Sequence, residues 1–228
     1  MVGNEVQDMM LIACEMMREE VLLACRHVRI QPEILWLERG LHNAPELLRA
    51  RLQAAVDHAG RDETVLLAFG QCGNAAVGLR CSCAQLVLPR FGDCIRMVLS
   101  TDASLRDAAD IHTLYATRGW LDSDHAISAD FAASVQKYGL ARTRRVFVSL
   151  LKNYSRFCLI DTGASDFPQL EPAARAAAEL LGLQYTACRG CIRVYEKLLQ
   201  GPWDAEFLVK ERGQTVCLAD FEVPPRQT

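Results

Sequence analysis

No stretch of this chain reaches the roughly 20 consecutive apolar residues that span a bilayer, so no membrane helix is expected. An excess of basic residues is missing too. Twenty-five Lys and Arg stand against 28 Asp and Glu, a formal net charge of −3, which argues against nucleic acid or an anionic membrane surface as main partner. The opening "MVGNEVQDMM" carries acids where a signal peptide would carry bases, so a cytoplasmic protein is expected. There is no repeat, no G-x-G-x-x-G, no Gly-Lys-Ser/Thr loop and no H-E-x-x-H. No Ser/His/Asp order is present, and there is no second C-x-x-C to complete a structural zinc site. The usual nucleotide, hydrolase and zinc-protease signatures are therefore excluded.

Cysteine, in contrast, is abundant: ten in 228 residues. In a reducing cytoplasm these remain mostly thiols. Cys25, Cys158 and Cys217 lie in apolar runs and read as small buried hydrophobes. The informative ones lie in loops.

Short apolar runs alternate with helical patterns along the first half. Strands are predicted at about 8–13, 33–37, "ETVLLAFG" and "AQLVLPRF", with helices over "REEVLLACRHV" and "NAPELLRARLQAAVDHAG". A short helix or turn is predicted at "NAAVGLRCSC". The second half gives helices over "SADFAASVQKYG", "LARTRRVFVSLLKNYS", "PQLEPAARAAAELLGL" and "CIRVYEKLLQG". Its strands are "RFCLIDTG" and "QYTACRG", and a terminal hairpin is predicted around Arg212–Gly213. Continuous apolar strands between helices predict an α/β fold: mainly parallel sheet flanked by helices, in two Rossmann-like lobes. The boundary is drawn at 1–110 and 111–228, with one continuous domain as the alternative.

Ligands of open α/β sheets sit at the carboxyl ends of the strands. Cys14 ends the first strand. Glu38, Arg39 and His42 follow the second, and Cys72 follows the third in "FGQCGN". Asp93 and Cys94 follow the fourth in "RFGDC", and Asp161 and Gly163 end the main strand of the second half. Cys14, His42, Cys72 and Cys94 are therefore the candidate metal ligands. Thiolates and imidazole suit a transition metal, zinc first and iron as the alternative. Asp93 is the candidate catalytic group, able to orient a histidine or to lower the pKa of metal-bound water. Gly70, Gly73 and Asn74 form the candidate cofactor-binding loop, since glycine permits tight turns and close approach. The competing reading is that these are small residues packing at strand ends.

Other features are weaker. "CRGC" (Cys188, Cys191) has redox spacing, "CSC" (Cys81, Cys83) suits a soft metal, and "FGQCGNAAVG" resembles a phosphate loop without its signature. A Cys–His dyad between His42 and Cys72 or Cys94 is a further option. Trp120 after Gly119 can close over a ligand, and Lys152, Tyr154 and Arg156 can contact an anion.

The stretches "LIACEMMREE", "LERGLHNAPELL", "FGQCGNAAVGL", "LPRFGDCI", "KNYSRFCLIDTG" and "GPWDAEFLV" together resemble the bacterial and archaeal family known as domain of unknown function 1638. That family usually has Tyr-Gly-Leu-Cys-Gly-Asn where this chain has Phe69 to Asn74, so Phe69 and Gln71 depart from the pattern. The resemblance implies a place beside corrinoid-dependent methyltransferases, corrinoid proteins and their activators, hence in one-carbon or methylamine-type metabolism. The partners it implies are a small methylated or thiol substrate and a corrinoid protein or methyltransferase. A corrinoid cofactor stays open as well, although "DIHTLYATRG" offers Asp110 and His112 without the glycine of the D-x-H-x-x-G motif.

Overall fold

The computed structural model describes residues 9–101, 109–123 and 126–222. Its first half contains β1 (Met9–Cys14), α1 (Arg18–Val28), β2 (Glu33–Leu37), α2 (Pro45–His58), β3 (Thr64–Ala68), β4 (Gln85–Pro89) and α3 (Cys94–Leu99). There follow β5 (Thr113–Ala116), α4 (Arg118–Leu121), α5 (Ile127–Tyr138), α6 (Leu140–Leu150) and β6 (Arg156–Asp161). The chain continues through α7 (Phe167–Leu181), β7 (Gln184–Arg189), α8 (Arg193–Gln200) and β8 (Phe207–Glu211). The fold is α/β, with two sheets flanked by helices, as the pattern of apolar runs predicts.

The first sheet has the order β2-β1-β3-β4-β8, and its first four strands are parallel. The nearly continuous apolar runs of β1, β3 and β4 have a simple cause. Leu11, Ala13, Leu66, Ala68 and Val87 belong to the core on one face, packed with α1 and α8. Met10, Ile12, Val65, Leu67, Leu86 and Leu88 belong to the core on the other, packed with α2. Side chains alternate across a strand, so a strand buried on both faces must be apolar throughout. The second sheet, β5-β6-β7, is also parallel and packs α7 against Phe157 and Leu159.

Three elements have no counterpart in the sequence reading: α3, β5 and α4. The terminal hairpin is a correction. β8 pairs antiparallel with β4, from Gln85↔Glu211 to Pro89↔Phe207. Beyond Gly213 the chain does not fold back on β8. It bonds the 78–81 segment through Cys81 N to Gln214 O at 2.9 Å and Val216 N to Leu79 O at 2.8 Å. The open edge of β4 takes β8, which satisfies main-chain groups that would otherwise face solvent unpaired. The chain thereby crosses back over the boundary drawn near 110 and completes the first sheet. Cys217, expected in the core, is exposed.

Candidate functional site

Strand order locates the site. From β1 the chain passes to β2 on one side, then returns to β3 on the other. The carboxyl ends of β1 and β3 thus flank a topological switch point, where open sheets form a crevice. Cys14 is the last residue of β1, and Cys72 lies in the loop after β3. The loop after β4 is bound to that of β3: Gln71 N donates to Phe91 O at 2.7 Å and Cys72 N to Gly92 O at 2.9 Å. Gly70 makes this approach possible, because a Cβ there would lie 2.8 Å from the backbone nitrogen of Asp93. "FGQCGN" and "RFGDC" are thus two walls of one place.

A cavity of about 480 Å³ opens there, and Cys14, His42, Cys72, Asp93 and Cys94 all line it. Gly73, Tyr115, Trp120 and Tyr154 line it as well. All four sequence-predicted ligands and Asp93 are therefore brought to one cavity. The second half of the chain supplies the far wall. Gly119 sits so tightly on the turn after β1 that a Cβ would fall 1.8 Å from Met16 O. This contact seats Trp120, whose ring lies 4.7 Å from that of His42. Arg39, from the same loop as His42, donates to Asp122 O at 3.2 Å and ties the loop to the end of α4.

The thiols feel one another. Burial pushes Cys72 up to about 12, and negative charge on Cys14 and Asp93 would push the same way. Burial also raises Cys94, followed by the charges of Cys72, Cys14 and Asp93; it raises Cys14 too. Cys94 is the first residue of α3, a position that ordinarily favours a thiolate, but desolvation wins here. Without a cation these are protonated thiols. Among the described residues, no group of three or more His, Cys, Asp or Glu side chains is arranged to hold a metal ion. The cysteines share a cavity wall without forming a coordination shell.

Cys72 also has an unusual backbone. It opens a run of three left-handed residues, with φ of 49° at Cys72, 63° at Gly73 and 69° at Asn74. A non-glycine residue in this region costs about 1–2 kcal/mol, and such strain concentrates at functional loops. Gly73 lines the cavity, and a Cβ there would lie 3.2 Å from Pro45 Cγ. Gly70 backs onto the neighbouring loop instead. Asn74 accepts from Arg49 through its carbonyl at 3.2 Å and from Gln71 through Oδ1 at 2.9 Å. Asp93 caps α3, with Oδ1 accepting from Arg96 N at 2.9 Å, while Oδ2 pairs with the Arg96 guanidinium.

The model of the family described as Protein of unknown function (DUF1638) matches residues 36–199. The chain belongs to that family. No curated protein and no solved structure matches it. The matched span contains His42, Cys72, Asp93 and Cys94, and Cys14 precedes it.

The remaining motifs of this DUF1638 protein lie away from the cavity. Cys188, a free thiol, interacts by a side-chain hydrogen bond with Cys158 of the adjacent strand, not with Cys191, whose Sγ donates to Ser100 O at 3.0 Å. Cys81 and Cys83 are buried, with their sulfurs 3.6 Å apart. Asp161 ends β6 and Gly163 follows it, both outside the cavity wall; Arg156 begins β6, also outside the wall, and pairs with Asp110, which lines it. Among the described residues no helix is long and apolar enough to cross a membrane.

Sequence reasoning missed Tyr195. Its hydroxyl is buried without a hydrogen-bond partner, and burial raises its pKa well above the usual value, as do the nearby Cys94, Glu20, Cys14 and Cys72. It lies on the buried stripe of α8 with Val194, Leu198 and Leu199, so its apolar spacing hides it among core residues. Trp120 also buries its indole nitrogen without a partner. α3 had one legible signal, the capping residue Asp93 immediately before Cys94.

Proposed function

We propose that this protein binds a transition metal ion, zinc first and iron as the alternative, through Cys14, Cys72 and Cys94 with His42 as fourth donor. The adjoining cavity receives a small thiol or methylated substrate of corrinoid-dependent methyl-transfer or one-carbon metabolism. One observation carries this reading: thiols from three separate strand-end loops, with one imidazole, line a single cavity at the switch point of the sheet. The donor types fit. Three thiols and an imidazole suit zinc or iron, and a divalent cation offsets the burial that holds these thiols protonated. The side chains must close up on binding, because they are not gathered as ligands in this structure.

When bound, such an ion supplies Lewis acidity that makes a thiol acidic at neutral pH. The chain's own residues do the positioning. Asp93 fixes the start of α3 and with it Cys94. Trp120 packs on His42 and closes one wall against water. The proposed partner, a corrinoid protein or methyltransferase, rests on the family association. A corrinoid is assigned to no residue here, since the His112 ring is engaged by Asn153 O at 2.8 Å.

The decisive experiment is elemental analysis of protein purified without a metal-affinity tag. About one zinc or iron per chain is expected, lost in Cys72→Ser and in Cys94→Ser. Less than about 0.1 equivalent of any transition metal after reconstitution, with both variants behaving as wild type, would sink the proposal.

A further inference from the structure

Charge is unevenly spread over this acidic chain. Between residues 131 and 160 there are six cations, Lys137, Arg142, Arg144, Arg145, Lys152 and Arg156, and no Asp or Glu, in a protein of net charge −3. Only Arg156 forms a salt bridge among the described residues. The other five are exposed. Four of them sit on the α5–α6 hairpin and Lys152 lies just past it; the hairpin's packing uses a narrow stripe: α6 buries only Thr143 and Phe147, and Phe147 with Leu151 closes on Phe131. Outside that stripe the helix exposes Val148 (72 %), Leu150 (61 %) and Val146 (55 %), beside Tyr138 (50 %) at the end of α5. A groove between the two helices, of about 210 Å³, is lined by Tyr138, Arg142, Val146 and Phe147.

We infer that the α5–α6 hairpin is a docking face for an acidic, apolar-studded helix of a partner protein. Five exposed cations, two of them (Lys137 and Arg142) stacked on the Tyr138 ring and none with an acidic partner among the described residues, call for a negative partner, and exposed valine and leucine between them call for apolar side chains at helical spacing. A second copy docking through the same face is disfavoured, because two-fold pairing would bring the cations together. A bilayer fits less well. Membrane-surface helices keep charge and apolar residues on opposite sides, whereas here Arg144, Arg145, Val146 and Val148 follow one another around the helix. The segment after α6 reaches the cavity. Tyr154, hydrogen-bonded through its N–H to Leu151 O just past α6, is part of the cavity wall.

The test uses the full chain and a fluorescein-labelled amphipathic peptide of about 18 residues, with leucine at i, i+3, i+4 and i+7 and glutamate on its flanks. Anisotropy is read at about 50 mM and about 300 mM salt. Binding that weakens with salt is expected. It should fall about tenfold or more in Arg144→Glu/Arg145→Glu and in Val148→Asp, with unchanged circular dichroism. The same peptide with lysine for glutamate should bind the charge-reversed variant better than the wild type. The proposal fails if the acidic peptide does not bind, or if both variants bind it like wild type. It also fails if phosphatidylserine vesicles or a single-stranded RNA oligonucleotide bind more tightly than the peptide. These substitutions lie outside the thiol cavity, so metal content reports separately on that site.

Discussion

Gly70 and Phe91 are in contact through their backbones: a Cβ on Gly70 would stand 2.6 Å from the Phe91 carbonyl oxygen, a separation that real Cβ atoms do not tolerate. The contact holds the two cysteine loops together. Gly70→Ala should force them apart, at a cost of about 1–3 kcal/mol from overpacking. Hydrogen exchange provides the local readout. The amides of Gln71 and Cys72, which donate across this seam, should exchange faster than in wild type. Unchanged protection and an unchanged melting temperature would show that the seam is not held as described.

Alkylation separates the thiols. Burial pushes the Cys72 thiol up to about 12, so it is overwhelmingly protonated at pH 7.5. Cys217 is exposed. Brief iodoacetamide treatment followed by peptide mass spectrometry should therefore modify Cys217 well before Cys14, Cys72 or Cys94. Labelling of Cys72 should accelerate with rising pH, since the thiolate is the nucleophile. Cys72 reacting ahead of Cys217 at pH 7.5 would contradict the burial argument.

Much of this site was legible because its cause is local. Apart from Thr64 and Gln85 at their first positions, β1, β3 and β4 are apolar throughout, which marks strands buried on both faces, and their ends place Cys14, Cys72 and Cys94 on one edge. The far wall was not legible. β5 and α4 are four residues each, too short for periodicity to register. Trp120 was suspected from its own sequence, but its seating depends on Gly119 meeting Met16, a contact across some hundred residues. The expected terminal hairpin failed for the same reason: the Arg212–Gly213 turn is local, whereas the open edge of β4 that takes β8 is not. Cys217 was misjudged because apolar neighbours in sequence do not guarantee burial in a terminal segment.

Glu20 gives a prediction in pH. It is 1 % exposed; Oε1 accepts from Thr162 at 3.0 Å and Oε2 has no partner. Burial raises its pKa above the usual carboxyl value, outweighing the hydrogen bonds that lower it. A carboxyl raised in the folded state binds its proton more tightly there than in the unfolded chain. Its contribution to stability is therefore full below the unfolded value and is lost as pH rises through the folded one. Glu20→Gln should stabilise the fold at pH 7.5 by about 1 kcal/mol, which raises the melting temperature by about 2–4 °C. The gain should shrink as pH approaches the usual carboxyl range. A variant that melts below wild type at pH 7.5 would show that the carboxylate is better satisfied than the structure indicates.

Gly119 and Gly139 make a matched pair for the interface between the halves. A Cβ at Gly119 would lie 1.8 Å from Met16 O and 2.7 Å from its carbonyl carbon, so backbone must move away from backbone. Gly139 has a φ of +78° but meets nothing within 4 Å, so alanine there pays only for the left-handed conformation. Gly139→Ala should cost about 1 kcal/mol. Gly119→Ala should cost about 3 kcal/mol or more and dislodge Trp120 from His42. Urea unfolding supplies the two free energies, and the emission of Trp120 in a variant with Trp36 and Trp203 replaced by Phe reports on its wall. Equal stabilities for the two alanine variants would mean that α4 does not press on the turn after β1, and the far wall of the cavity would have to be redrawn.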